Sequence, residues 1–137
     1  MVNIMKQSEC TILISTFEKE NYTFGQAMRS IREKHGLTIR QIAREVEKTA
    51  TYISDIERGN NKPPEKKLMQ QLLTALGVNE TALCNYLYDL AAIERGGVSE
   101  DIADYIMKHG DLRLLIRMTK QQKDGELFWA ECIKKMK

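Results

Sequence analysis

The sequence predicts an all-α protein, and three observations carry that expectation. Only two prolines and eight glycines are spread over 137 residues, too few for the many turns of a β protein. Leu, Ile, Met, Lys, Glu and Gln, which lose little side-chain freedom in a helix, are plentiful. The helix-starting pattern Thr-x-x-Gln stands at Thr23/Gln26 and at Thr38/Gln41, each time followed by apolar residues at helical spacing. With 42% hydrophobic and 29% charged residues, the chain has material for one compact domain, or one small domain with an extension.

Residues 1–22 read as a short N-terminal arm. Its KQSECTILISTFEKE stretch mixes β-branched residues with helix formers, so strand and helix both stay open. Ile12, Leu13, Ile14 and Phe17 require cover, from packing or from a dimer contact.

Residues 23–95 form the main domain. Thr23 caps its first helix, where Phe24, Ala27, Met28 and Ile31 make the apolar stripe and Gly36 the stop. Thr38 caps the second, with Leu37 and Ile42 placed as a hydrophobic staple and Ile42, Ala43 and Val46 as the stripe. Thr49 caps the third, in which Ile53 and Ile56 are the only large aliphatics before Gly59. NNKPP, residues 60–64, is a rigid polar connector, after which a helix restarts near Glu65 with Leu68, Met69, Leu72, Leu73 and Leu76 inward.

Asn79 is the expected cap of a fifth helix. That helix is apolar on two faces, Leu83, Tyr86, Leu87 and Leu90 on one, Cys84, Tyr88, Ala91 and Ala92 on the other. A helix buried on both sides needs a second body to cover it, the C-terminal segment or a partner subunit.

Gly96-Gly97 is the clearest boundary. Residues 98–137 make a C-terminal extension of about three helices, a dimerisation or regulatory segment. Ser99 is placed to cap a helix with Ile102, Tyr105 and Ile106, and Asp111 one with Leu112, Leu115 and Ile116. The last helix carries Trp129, Cys132, Ile133 and Met136 at i, i+3, i+4 and i+7.

The net charge of +2 is distributed in blocks. From Arg29 to Lys67 there are ten Lys/Arg against six Asp/Glu, a net +4 over the stretch containing the small third helix. From Asn79 to Asp111 the balance is two against seven, and from Leu112 onward seven against three. The first block is what attraction to phosphate requires. A short helix held by two aliphatics presents most of its surface to something else, and its size suits a major groove.

Three cysteines, Cys10, Cys84 and Cys132, are far apart and form no CxxC pair, so neither a structural zinc site nor any other cofactor is expected, and a reducing cytoplasm fits them. No run approaches the ~20 apolar residues of a membrane span. With no glycine-rich phosphate loop and no histidine beside a nucleophile in sequence, an enzyme is not expected.

Residues 24–94 resemble the lambda-repressor-like helix-turn-helix family, the phage-repressor or xenobiotic-response type, through FGQAMRSIREKHGLT, IAREV and YISDIERGNNKPP. The resemblance implies a five-helix domain binding operator DNA, usually as a homodimer, in a transcriptional regulator. It implies a structural ion pair between Arg32 and Glu57. It places Ala50, Thr51, Tyr52 and Asp55 at base edges. It places Thr38 with the amides of Ile39 and Arg40, then Arg58, Asn60 and Lys62, at phosphates, with Arg44 and Lys48 adding charge beside Arg40.

The chain departs from the family at Glu47, where glycine is common in the turn, and at Lys48 and Ile39. A non-glycine residue at positive φ costs on the order of 1 kcal/mol, so a reshaped turn is expected there. With no Arg, Gln or Asn at positions 50, 51 and 55, base-specific hydrogen bonding is expected to be sparse. The alternative reading is a protein-interaction or antitoxin-like module that keeps the fold.

Overall fold

The structure is a computed structural model and describes residues 5–137. Every regular element among the described residues is a helix: α1 (Gln7–Lys19), α2 (Phe24–Lys34), α3 (Ile39–Glu45), α4 (Ala50–Glu57), α5 (Lys66–Ala75), α6 (Thr81–Arg95), α7 (Glu100–Lys108), α8 (Gly110–Gln121) and α9 (Gly125–Met136). They fall into two compact units, one reaching Asp101 and the other Ile102–Lys137.

Local chemistry sets the helix ends of the first unit. Both capping boxes close: Thr23 Oγ1 accepts from the Gln26 amide at 3.1 Å while Gln26 Oε1 accepts from the Thr23 amide at 2.8 Å. The Thr38/Gln41 box does the same at 3.1 and 2.7 Å. The fifth domain helix, α6, is capped by Glu80 rather than by Asn79, its carboxylate accepting from the Leu83 amide at 2.8 Å. The longer Glu side chain reaches the amide three residues on, which moves the helix start to Thr81.

Phe24, Met28 and Ile31 of α2, Ile42 of α3, Ile53 and Ile56 of α4, Met69 and Leu72 of α5, and Leu83 and Leu87 of α6 are fully buried. Each contributes about 1.5–3 kcal/mol by leaving water. The stripes read from the sequence are thus the core.

The N-terminal segment is helical, and it closes that core. Cys10 and Phe17 of α1 are buried. The Phe17 ring stacks on Tyr22 at 4.9 Å and lies 6.2 Å from Tyr86 of α6. α6 packs against both α1 and α2. The chain's own N-terminal helix therefore supplies cover for α6 within the first unit. Periodicity shows that a face must be covered; it does not carry the address of the cover.

In the second unit, α8 and α9 pack as a helical pair. A Cβ at Gly125 would stand 2.0 Å from the Thr119 carbonyl oxygen, so the two backbones meet there. Arg113 donates to the Ile106 carbonyl at 3.1 Å and to that of Met107, satisfying the end of α7. Thr119 and Gly125 are the buried residues of this unit, whereas Tyr105, Leu114, Leu127, Ile133 and Met136 are exposed, Met136 to 89%. The stripes read there are helical, but their apolar residues remain largely open in the single chain.

Candidate nucleic-acid interface

α4 is an eight-residue helix started by Thr49, whose Oγ1 accepts from the Tyr52 amide at 3.0 Å. Ile53 and Ile56 anchor it to the core. It packs chiefly on α3. In the turn between them Glu47 takes φ 57°, the left-handed conformation glycine would supply. The Glu47 amide donates to the Arg44 carbonyl at 3.2 Å and the Lys48 amide to that of Ala43 at 2.9 Å. These are the two bonds of a Schellman ending. The turn expected to be reshaped at Glu47 is kept, with the strain accepted on one residue.

Two features fix the far end of α4. Arg32 Nε donates to Glu57 Oε2 at 2.6 Å, Arg32 Nη2 to Oε1 at 3.0 Å, and Nη1 to the Leu37 carbonyl at 2.8 Å. Both side chains are buried, and the hydrogen bond to Glu57 raises the Arg32 pKa. The pair inferred by resemblance is a bidentate clamp joining α2, α4 and the segment leading into α3. Beside it a Cβ at Gly25 would lie 2.3 Å from the Ile56 oxygen, so the α2 backbone lies directly against α4.

The outward face of α4 carries Thr51, Asp55 and Arg58 at i, i+4 and i+7. Thr51 is exposed, and Ala50 and Tyr52 are half-buried. Lys48 Nζ lies 5.7 Å from the centre of the Tyr52 ring, and burial pushes the Tyr52 hydroxyl pKa up. Asp55 does not stand free: its Oδ1 accepts from Arg58 Nη2 at 3.0 Å. Arg40, Lys48, Asn60 and Lys62 are exposed, as is Arg44, which lines a groove between α3 and α5 with Lys67, Gln70 and Thr74; Thr38 is exposed too, its hydroxyl committed to its cap. The Ile39 side chain packs against the core, which leaves its backbone amide for the role inferred for it.

Sequence reasoning missed what anchors the loop after α4. Arg95 pairs with Glu65 at 3.1 Å and donates to the Pro64 carbonyl at 3.1 Å, and Glu100 Oε1 accepts from the Lys66 amide at 2.5 Å. Glu94 likewise accepts from the Phe24 amide, at 3.1 Å. These partners lie far along the chain, so no local pattern announces them.

A family described as a helix-turn-helix domain matches residues 25–93, just over half of the chain. The chain belongs to the helix-turn-helix domain family. The matched span opens within α2 and closes within α6, leaving α1 and the second unit outside it. No curated protein and no solved structure matches the chain. Helix-turn-helix domains are DNA-binding units of transcriptional regulators, and here α3 and α4 are the two helices of the motif. Among the described residues no group of three His, Cys, Asp or Glu is placed to hold a metal ion, and no helix is long and apolar enough to cross a membrane.

Proposed function

We propose that this protein is a cytoplasmic transcriptional regulator that binds an operator as a homodimer, inserting α4 into the major groove. Ala50, Thr51, Tyr52 and Asp55 face base edges. Thr38, the Ile39 and Arg40 amides, Arg44, Lys48, Arg58, Asn60 and Lys62 follow the phosphates. The observation that supports this best is the build of α4: a firmly held helix whose outward stripe is polar, with exposed cations at Lys48 before it and at Arg58 and Lys62 after it. Base edges specify and phosphates position, and the two residue sets divide in that way.

Gel shifts on genomic fragments at several salt concentrations test the reading. Replacing Arg44 and Lys62 by Ala weakens binding to all sequences alike and reduces the log–log salt slope by about 0.9 for each phosphate that is no longer neutralised. An unchanged slope removes these side chains from the interface.

Two half-sites about one DNA turn apart need two copies of the domain. The uncovered apolar side chains of Ile102–Lys137 offer a surface for that association. A chain ending at Asp101 then sediments as a monomer and loses affinity for a palindromic site while keeping weak binding to any duplex. If it stays dimeric, the contact lies in the first unit.

A second reading, a module that keeps the fold for protein contacts, draws support from the carboxylate of Asp55 on the outward stripe of α4. Salt-insensitive retention or absence of DNA binding favours it.

A further inference from the structure

We propose that Asp55 is a specificity-determining residue that holds Arg58 away from phosphate until the DNA presents a cytosine amino group; this rests on α4 reading the major groove.

Asp55 sits between Thr51 and Arg58 on the outward stripe, and its carboxylate takes the guanidinium of Arg58 at 3.0 Å. The pair is open to water, with Arg58 61% and Asp55 27% exposed at the side chain. Exposed pairs of this kind are weakly held, so a competing ligand can exchange either partner. The Asp55 backbone is firmly placed, since its carbonyl accepts from the Asn60 and Asn61 amides at 2.8 and 3.2 Å. The side chain is thus a mobile acceptor on a fixed stem, three residues from the cation it neutralises.

A carboxylate has only acceptor capacity, and most of what DNA offers it is repulsive. Phosphate oxygens, guanine N7 and O6, and thymine O4 are all acceptors. Adenine N6 is a donor with the N7 acceptor beside it. Cytosine N4 is a donor flanked on the groove side by a C–H edge, the one base edge that accommodates a carboxylate without an opposing acceptor. On any other base Asp55 keeps Arg58, and the protein forgoes one phosphate interaction. On cytosine the carboxylate turns to N4, and Arg58 passes to the backbone.

One group thereby weakens binding to wrong sites and completes binding to right ones, which is how specificity arises without a large gain in affinity. The sparse donor set of Ala50, Thr51 and Tyr52 then matters less, because discrimination comes from a repulsive element.

The test selects motifs from random duplex DNA and measures salt slopes for wild type, Asp55→Asn, Asp55→Ala and Asp55→Asn with Arg58→Ala. Each change lies on the surface and leaves the backbone bonds of residue 55 in place. The expected result is a cytosine preference in wild type that both single variants lose, Asp55→Asn turning toward adenine. On non-cognate DNA the single variants bind about tenfold tighter at 50 mM salt, with a slope steeper by about 0.9, because Arg58 is freed to one phosphate. The added Arg58→Ala abolishes that gain. Single variants with the wild-type motif and non-cognate slope overturn the proposal while leaving α4 as the reader. A wild-type protein with no salt-dependent DNA binding overturns the parent reading, and this inference falls with it.

Discussion

Truncating Arg32 to Ala is the sharpest perturbation of the clamp behind α4. Three hydrogen bonds go with the guanidinium: those at 2.6 and 3.0 Å to Glu57 and that at 2.8 Å to the Leu37 carbonyl. The Glu57 side chain, only 4% exposed, is left as a carboxylate with no cation. Breaking a buried pair from one side costs about 3–5 kcal/mol. Set against a typical total of about 5–15 kcal/mol, that removes a large share of the stability.

With a urea m-value of about 2 kcal/mol/M, the unfolding midpoint falls by roughly 1.5–2.5 M. Replacing both partners by Met, which removes the charges together and refills much of the volume, costs about 1 kcal/mol or less. Equilibrium urea unfolding followed by far-UV circular dichroism reads both variants. A destabilisation below about 1 kcal/mol for Arg32→Ala, or a double variant as weak as the single one, refutes the claim that desolvation of an orphaned charge controls the outcome.

Three further outcomes follow from the geometry. Gly25→Ala drives a Cβ to 2.3 Å from the Ile56 oxygen and destabilises by about 2 kcal/mol or more, whereas Gly97→Ala, with nothing within 4 Å, is close to neutral; thermal unfolding of the pair measures the contrast. Glu47→Gly relieves the φ of 57° and raises the melting temperature by about 4 °C, corresponding to about 1 kcal/mol; no rise means the Schellman turn carries no strain. Burial pushes the Cys10 and Cys84 thiols above their ordinary 9.0. Ionisation then costs more folded than unfolded, so both alkylate slowly in the native state, and stability declines as pH rises through and above 9; native-state labelling as fast as in urea contradicts this.

The helix-turn-helix core was legible because its determinants are local. Thr38 and Gln41 close a box within one turn, and Ile53 and Ile56 define a face by spacing alone. The ion pair between Arg32 and Glu57 became legible through family resemblance, since nothing near Arg32 in sequence points to Glu57.

Two things were hidden. The mixed composition of the N-terminal stretch gave no single period, and its helical choice is supported by Phe17 and Cys10 finding cover in the folded unit. On α4, family resemblance implied a base-facing role for Asp55, but a base-reader and a neutralising partner look alike in one letter. The i,i+3 spacing to Arg58 was the available signal.

The placement of α1 has a consequence for how the chain reaches its fold. In chain order α1 precedes α6 by four helices, yet Phe17, beyond its stack on Tyr22, has a second aromatic neighbour in Tyr86. The neighbouring link, Phe24 to Glu94, spans 70 positions. The apolar side of α1 is therefore completed by a helix that follows it only after α2 to α5. Loop closure over that length must precede any gain from the contact, so the packing of α6 on α1 and α2 contributes the high-contact-order part of the assembly. It also gives the finished unit a latch whose two halves are separated by the whole helix-turn-helix, so that a nascent chain becomes fully closed only when α3 and α4 are already complete.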